Sequence, residues 1–429
     1  MKIPKLRWWI AGLLAAATAI NYMDRQTLPV VISEIQKIMP ISNKQYSQLS
    51  YVFLIAYGLM YAGGGKIMDV IGTRWGYAIM IFWWSISDML QGCVNSVFGL
   101  GVTRFMLGLG EGGGFPGSAK AVSEWFPAKE RSFAFGIFMT GQNLGAIIAA
   151  PLIAFIVTQS NWRWAFYITG AFGLIWVIAW LFLYNVPAGH KLITKEEQDY
   201  LKTALTPQAP AARVSWIGLF RIRQIWGLLA AKFMSDAASY FFLLWLPKYL
   251  GDVRHLNIKQ IGYYAWIPYV GGAIGSFMGG WFSSYLIRRR NLSLDASRKI
   301  ALGISAACLP ASLLIASSPL ALAIVFFSMA IFGHAFWSTI LQTLAADMFP
   351  TRIVGSVAGL MGAVGSFGGV AFNFVIGFLL TTYGSYVPVF AIAGILHPLS
   401  FIVILLVVRK IQMAIPMEGA LLGTSPAKA

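Results

Sequence analysis

The chain carries the stretch Glu124-Trp125-Phe126-Pro127-Ala128-Lys129 and, in its second half, Asp347-Met348-Phe349-Pro350-Thr351-Arg352. An acidic residue, a Phe-Pro pair and a basic residue recur in the same order, each time at the end of a long apolar run. A second echo lies upstream of each copy. Gly64-Gly65 leads to Asp69, Gly72 and Arg74, and in the second half Gly279-Gly280 leads to Arg288–Arg290. Two echoes at nearly equal offsets point to duplication of one unit, and the apolar runs indicate what that unit is. A helix needs about 20 apolar residues to cross a bilayer. Twelve runs qualify, near 8–32, 46–68, 76–96, 99–120, 132–157, 163–184, 225–247, 260–287, 300–317, 319–345, 353–381 and 386–408. The expected fold is an all-α integral membrane protein of twelve transmembrane helices in two six-helix halves, 1–184 and 225–410. A cytoplasmic linker at 185–224 joins them and a cytoplasmic tail, 411–429, follows. In the linker, Lys195-Glu196-Glu197-Gln198-Asp199 suits an amphipathic surface helix.

Composition excludes the other classes. Of 429 residues, 58% are hydrophobic and only 11% are charged, less than half the charge of a soluble domain. Disordered chains are polar and poor in aromatics, and this one is 15% aromatic. Its two cysteines, Cys93 and Cys308, lie inside apolar runs and make no disulfide framework. The net charge of +17 is a sidedness signal rather than a nucleic-acid patch. With the N-terminus inside, 23 of the 32 Lys and Arg residues fall on inner segments and six on outer loops. Basic residues are retained on the cytoplasmic side, so both termini are expected there. The N-terminal stretch has the basic start and apolar run of a signal peptide. The run continues through Asp24 and Arg25, however, which predicts an uncleaved first span. No Gly-x-x-x-x-Gly-Lys-[Ser/Thr] loop is present, which argues against ATP as the direct energy source. His190, His255, His334 and His397 are scattered, and no metal site or cofactor is expected.

Seven ionisable residues break the composition rule: Asp24, Arg25, Asp88, Arg104, Glu111, Lys232 and Asp236 all fall within predicted spans. An ionised residue at the centre of a membrane helix costs roughly 2.5–3.5 kcal/mol on insertion scales, so each is a functional candidate. Asp24 and Arg25 are adjacent, about 100° apart around a helix, and do not share a face. Arg25 can bind a carboxylate through its planar fork, with Tyr22 a donor to substrate hydroxyls, while Asp24 takes and releases a proton. The alternative is a static pair locking span 1 against span 4. Arg104 and Glu111, seven apart, share a stripe of span 4. A titratable carboxyl among glycines is what proton coupling needs, with Arg104 holding it in one state; a buried packing pair is the other reading. Lys232 and Asp236 are one turn apart in span 7 and can pair directly, as a second anion anchor or as a self-neutralised pair. Trp245 is placed either to stack on a sugar face or to anchor at the interface. His334, Thr339 and Gln342 in span 10 are further cavity candidates. Asp88 has no assigned role.

The stretch from Gly65 to Arg74 resembles the loop 2–3 signature of the major facilitator superfamily. Within it, Tyr22-Met23-Asp24-Arg25, Arg104 to Glu111, Ser123 to Arg131 and Phe242 to Leu250 resemble the anion:cation symporter family, in the form of its hexuronate transporters. The resemblance implies proton coupling at positions matching Asp24 and Glu111, and substrate binding at those matching Arg25, Tyr57 and Gln142. It also implies an inner-side charged network of Asp69, Arg74, Glu124, Glu130 and Arg131 that sets the gating equilibrium. Gly362 falls where some sugar-acid symporters carry a substrate-binding Asn. The expected function is secondary active import of a sugar-acid anion, a hexuronate such as glucuronate or galacturonate, by proton symport with alternating access in a bacterial inner membrane. The chain is expected to work as a monomer, with protons the coupling ion and no nucleic-acid partner. The alternative substrate is another organic anion: an aldonate such as galactonate, an aldarate, or an aromatic acid such as phthalate. An enzyme would need a nucleophile–base or metal constellation in the spans, and none is visible in the sequence.

Overall fold

The computed structural model describes residues 2–205, 216–349 and 351–412; side chains at some helix positions, among them Asp69, Arg131 and Arg352, lie outside the described residues. The described residues are helical nearly throughout. The helices are α1 (Leu6–Gln36), α2 (Asn43–Ile71), α3 (Thr73–Gln91), α4 (Val97–Glu111), α5 (Gly114–Trp125), α6 (Ala128–Gln159), α7 (Trp162–Leu183) and α8 (Lys195–Ala204). They continue with α9 (Trp216–Phe220), α10 (Arg223–Asp252), α11 (Ile258–Tyr264), α12 (Ile267–Arg290), α13 (Leu294–Cys308), α14 (Leu320–Met348), α15 (Thr351–Tyr383) and α16 (Val387–Val403). All twelve predicted spans find a helical counterpart, and the amphipathic linker helix is α8.

Four spans are not single α-helices, span 12 passing from α16 into a π segment, Ile404–Val408. Span 4 divides into α4 and α5 at Gly112-Gly113, where two consecutive glycines weaken the helix. Span 8 divides into α11 and α12. Span 9 ends early as α13 and continues as a tight 3₁₀ segment, Leu309–Leu314, with Pro310 in its first turn. Proline removes the donor an α-helix would need. Among the described residues, six segments are by themselves long and apolar enough to cross a membrane, in α6, α7, α10, α14, α15 and α16 with its continuation to Val408. The breaks in spans 4, 8 and 9 fall in the other predicted spans, as do the in-span charges apart from Lys232 and Asp236 of α10.

The expected duplication has a counterpart in the helix starts. Ser42 caps α2 by accepting from the Gln45 amide, while the Gln45 side chain returns to the Ser42 amide. Asn257 and Gln260 form the same reciprocal box at α11, at the offset that separates Gly64-Gly65 from Gly279-Gly280. Each box satisfies two backbone donors that a helix start leaves unpaired.

The chain forms two compact units, Met1–Pro207 with Leu243–Ile267, and Gln208–Phe242 with Pro268–Ala429. In the first, α1 packs on α6 and α7, α2 on α4, and α3 on α4 and α7. In the second, α13 packs on α14 and α16, around a core that includes Leu228, Leu302, Trp337, Leu341 and Met348. Close helix approach recurs in both units at matched glycines. A Cβ on Gly110 of α4 would lie 2.8 Å from the Trp84 amide nitrogen of α3. One on Gly333 of α14, at the same offset as the two Phe-Pro motifs, would lie 2.9 Å from the Ser305 carbonyl of α13. Gly145 and Gly368 repeat that offset. A Cβ on Gly145 of α6 would sit 2.2 Å from the Ala19 carbonyl of α1, and one on Gly368 of α15 would sit 2.0 Å from the Phe233 carbonyl of α10. Small residues let backbones meet in a membrane helix pair. The two units thus use the same positions to solve the same packing problem.

Candidate functional site

The glycines of α4 let it approach α2 and α3 closely, and Glu111, its last residue, reaches across to α1. The Arg25 Nε donates to Glu111 Oε2 at 2.8 Å, with side-chain exposures of 1% and 0%. Arg25 Nη2 donates to Asn21 Oδ1 at 2.7 Å, one helical turn away. The guanidinium lies over the rings of Tyr22 and Tyr57, 4.7 Å and 4.6 Å from their centroids, with Phe53 at 5.5 Å. A buried cation is thus held by one carboxylate, one amide and three aromatic faces, an arrangement that lowers the cost of keeping charge out of water.

Arg104 makes no ion pair with Glu111 here, where Glu111 is bonded to Arg25 instead. Seven residues of α-helix rise about 10 Å, so a shared stripe does not give contact. Arg104 is buried beside Phe53, and its Nε and Nη1 have no hydrogen-bond partner among the described residues. Asp24 and Arg25 diverge as adjacent helix positions must. Arg25 faces α2 and α4, while Asp24 is fully buried toward Trp84 of α3 and Thr169 of α7, with Asp88 and Glu111 its acidic neighbours. Neither Asp24 oxygen has a hydrogen-bond partner among the described residues. Asp88 is also fully buried, with Gln91 Nε2 donating to Oδ1 at 2.8 Å and Thr169 Oγ1 bonded to Oδ2 at 2.7 Å. Gln142 is half-buried on α6.

Trp245 belongs to the first unit, is fully enclosed, and meets Tyr46 edge-on at 4.7 Å, while the Tyr46 hydroxyl donates to the Leu244 carbonyl. In the second unit Lys232 and Asp236 pair at 2.9 Å. The Thr339 hydroxyl turns back to the Ala335 carbonyl at 3.0 Å, and Gln342 is exposed. His334 meets His397 of α16, Nδ1 to Nε2 at 3.2 Å, beside Trp337.

The first unit therefore gathers Asp24, Arg25, Arg104, Glu111, Tyr22 and Tyr57 from α1, α2 and α4, and adds Asp88. The Major Facilitator Superfamily model matches residues 14–372. The chain belongs to the major facilitator superfamily. It is a multi-pass membrane transporter of a small molecule, not an enzyme. It is 32% identical to the hexuronate transporter of Escherichia coli (strain K12) over 414 residues, 95% of each chain. It is 33% identical to the galacturonate transporter of Dickeya chrysanthemi over 308 residues, 71% of this chain and 89% of that one. The crystal structure of a D-xylose-proton symporter matches with a TM-score of 0.73 at 14% identity, covering 93% of this chain and 97% of that chain, a likeness of fold.

In this superfamily member the expected inner network divides. Thr73 Oγ1 donates to Glu124 Oε1 at 2.7 Å, and the Tyr184 hydroxyl donates to Oε2. Arg74 reaches the Leu181 carbonyl at 2.6 Å. Glu130 accepts from Arg7 at 2.9 Å and from Tyr200 at 3.0 Å, and Arg7 also pairs with Glu197 of α8 at 2.7 Å. The side chains of Asp69 and Arg131 lie outside the described residues. The second Phe-Pro motif replaces this with Arg298, which pairs with Asp347 at 2.8 Å. Sequence reading missed Asn21, Thr169, Arg7 and Arg298. Only Asn21, one turn before Arg25, carried a local signal.

The same region holds a pH-sensitive contact. The Leu192 amide donates to His190 Nδ1 at 3.1 Å, so Nε2 carries the ring proton toward the Leu183 carbonyl, also at 3.1 Å. Burial lowers the His190 pKa from its ordinary value. As pH falls through the ordinary imidazole range, the unfolded chain takes up a proton that the folded one resists, and stability is lost. Between about pH 8 and about pH 5 the melting temperature should fall less in His190→Gln than in the parent, by about 1–2 °C. Equal falls in the two proteins would remove His190 from the effect.

Proposed function

We propose that this chain imports a sugar-acid monoanion, a hexuronate such as glucuronate or galacturonate, by proton symport across a bacterial inner membrane. The observation that carries the reading is the buried Arg25–Glu111 pair, roofed by Tyr22 and Tyr57. Arg25 is a carboxylate receptor whose Nε is taken by the protein's own carboxylate and whose Nη2 is taken by Asn21. Protonation of Glu111 from the outer side cancels that charge and frees the guanidinium for the substrate carboxylate, while Tyr22, Tyr57 and Gln142 meet hydroxyls. Loss of the proton to the inside restores the Arg25–Glu111 pair and expels the anion. The cycle thus exchanges one carboxylate for another on a single cation, and proton and substrate move together. Asp24 is the further proton carrier, Arg104 steadies the negative charge of the acidic groups, and Lys232 with Asp236 is the second anion anchor.

The relatives that transport hexuronate and galacturonate support the substrate class, and the basic bias of the predicted inner segments supports cytoplasmic termini. In this reading the six-helix halves, 1–184 and 225–410, alternate access as a monomer, with Arg74, Glu124 and Glu130 in the inner gate. The test is uptake into proteoliposomes under an inward proton gradient, with labelled D-glucuronate, D-galacturonate, galactonate, galactarate and phthalate. Glucuronate or galacturonate is expected to accumulate and to alkalinise the outer medium. Accumulation of phthalate or an aldarate alone would shift the substrate class, and accumulation without proton movement would end the symport reading.

A further inference from the structure

We propose that Asp88, fully buried and hydrogen-bonded to the Thr169 hydroxyl, is an additional proton-carrying carboxyl. This rests on the symport reading and extends it. Asp88 of α3 and Asp24 of α1 are both fully buried, and Thr169 of α7 is hydrogen-bonded to Asp88. The charged groups acting on Asp88 are Arg104 and Glu111 from α4, and Asp24 has Asp88 and Glu111 as its acidic neighbours. Tyr46 of α2 acts on Arg104 in turn. No ion pair to Asp88 is formed among the described residues, although Arg104 is 2% exposed and has two unbonded nitrogens. The Trp84 indole nitrogen, four residues before Asp88 and acting on Asp24, is likewise buried without a hydrogen-bond partner. Asp24 offers two unbonded oxygens in the same surroundings.

Proton counting at Thr169 shows what Asp88 can do. Its Oγ1 lies 2.7 Å from Asp88 Oδ2, 2.9 Å from the Ala165 carbonyl and 3.4 Å from the Phe166 carbonyl. A hydroxyl has one proton to give, and an ionised carboxylate and two carbonyls can only accept. With Asp88 ionised, these three acceptors compete for that proton. With Asp88 protonated, the carboxyl donates to Oγ1, and the hydroxyl proton goes to Ala165 in the ordinary back-bond of a helical Thr. Both arrangements keep the same heavy-atom positions. Asp88 can therefore take up and release a proton while Thr169 keeps its own, by a turn of the hydroxyl alone.

Infrared difference spectra of the purified protein in lipid, acid against alkaline buffer, test the carboxyl without a substrate. The parent is expected to give a pH-dependent protonated-carboxyl band that Asp88→Asn loses and Thr169→Val shifts. Unaltered bands in Asp88→Asn would overturn the proposal. Thr169→Val keeps every carboxyl and provides the arm that survives if Asp88→Asn folds poorly; an unshifted band there would overturn the assignment of the band to Asp88. In proteoliposomes given D-glucuronate, Asp88→Asn should lower the number of protons per anion by one while Asp88→Glu restores it. An unchanged ratio in a proton-coupled parent would overturn the transport role of Asp88. Absence of proton movement in the parent would instead count against the symport reading, and the infrared arm would still decide whether Asp88 exchanges a proton.

Discussion

Glu111→Gln is expected to reduce proton-driven accumulation of glucuronate to the level seen without a pH gradient, while substrate exchange persists. The amide keeps the size of the carboxyl and can still accept a hydrogen bond from Arg25 through its oxygen. It can neither carry the charge that holds the guanidinium nor bind and release the proton that sets it free. Arg25 is 1% exposed and has Glu111 as its ion-pair partner. Removing one member of such a pair leaves an uncompensated buried charge, a cost of about 3–5 kcal/mol. A substrate carboxylate relieves that cost when it docks. The variant should therefore bind the anion more tightly than the parent at alkaline pH, by about tenfold for each 1.4 kcal/mol recovered. It should also lose the pH dependence of binding. Counterflow at equal pH on the two sides measures exchange, and uptake under a gradient measures coupling. Gradient-driven accumulation that survives in Glu111→Gln would remove the residue from the coupling step.

The residues of this site were legible because charge is conspicuous in an apolar span. Asp24, Arg25, Arg104 and Glu111 stand out by cost alone. Their pairing was not legible, because sequence spacing reports which face a residue occupies and not how far it reaches. Arg104 and Glu111 share a stripe of α4, yet Glu111 bonds Arg25, 86 positions away in the chain. Lys232 and Asp236 were readable as a pair because one helical turn brings them into contact. Asp88 resisted assignment because Thr169 is 81 positions away, on a helix whose neighbours periodicity does not name. Trp245 shows the same limit: its ring packs against Tyr46, a fact of tertiary structure. The fold was more legible than the site. Twelve apolar runs and a repeated Phe-Pro motif report local chemistry, and duplication writes that chemistry twice. The breaks in spans 4, 8 and 9 escaped a count of apolar residues because glycine and proline are apolar and still interrupt helices.

Gly145→Leu is expected to cost the protein its stable fold, whereas Gly136→Ala on the same helix should be tolerated. At Gly145 the first side-chain atom would lie 2.2 Å from the Ala19 carbonyl oxygen and 2.8 Å from the Ala19 Cα. Those are backbone atoms of α1, so no rotamer change relieves the overlap and the two helices must separate. Overpacking a tight interface costs about 1–3 kcal/mol, occasionally more. Asp24 and Arg25 follow Ala19 within two helical turns, so any separation also moves the site. At Gly136 nothing lies within 4 Å of the added atom, and alanine favours the helix by about 1 kcal/mol. Size-exclusion profiles and melting temperatures in detergent compare the two variants directly. Gly368→Leu tests the duplicated interface, where the added atom would meet the Phe233 carbonyl at 2.0 Å, and should fail in the same way as Gly145→Leu. If Gly145→Leu ran and melted like Gly136→Ala, close backbone contact between α1 and α6 would not be what holds the first unit together. If Gly145→Leu failed and Gly368→Leu did not, the two units would share a packing position without sharing its energetic role.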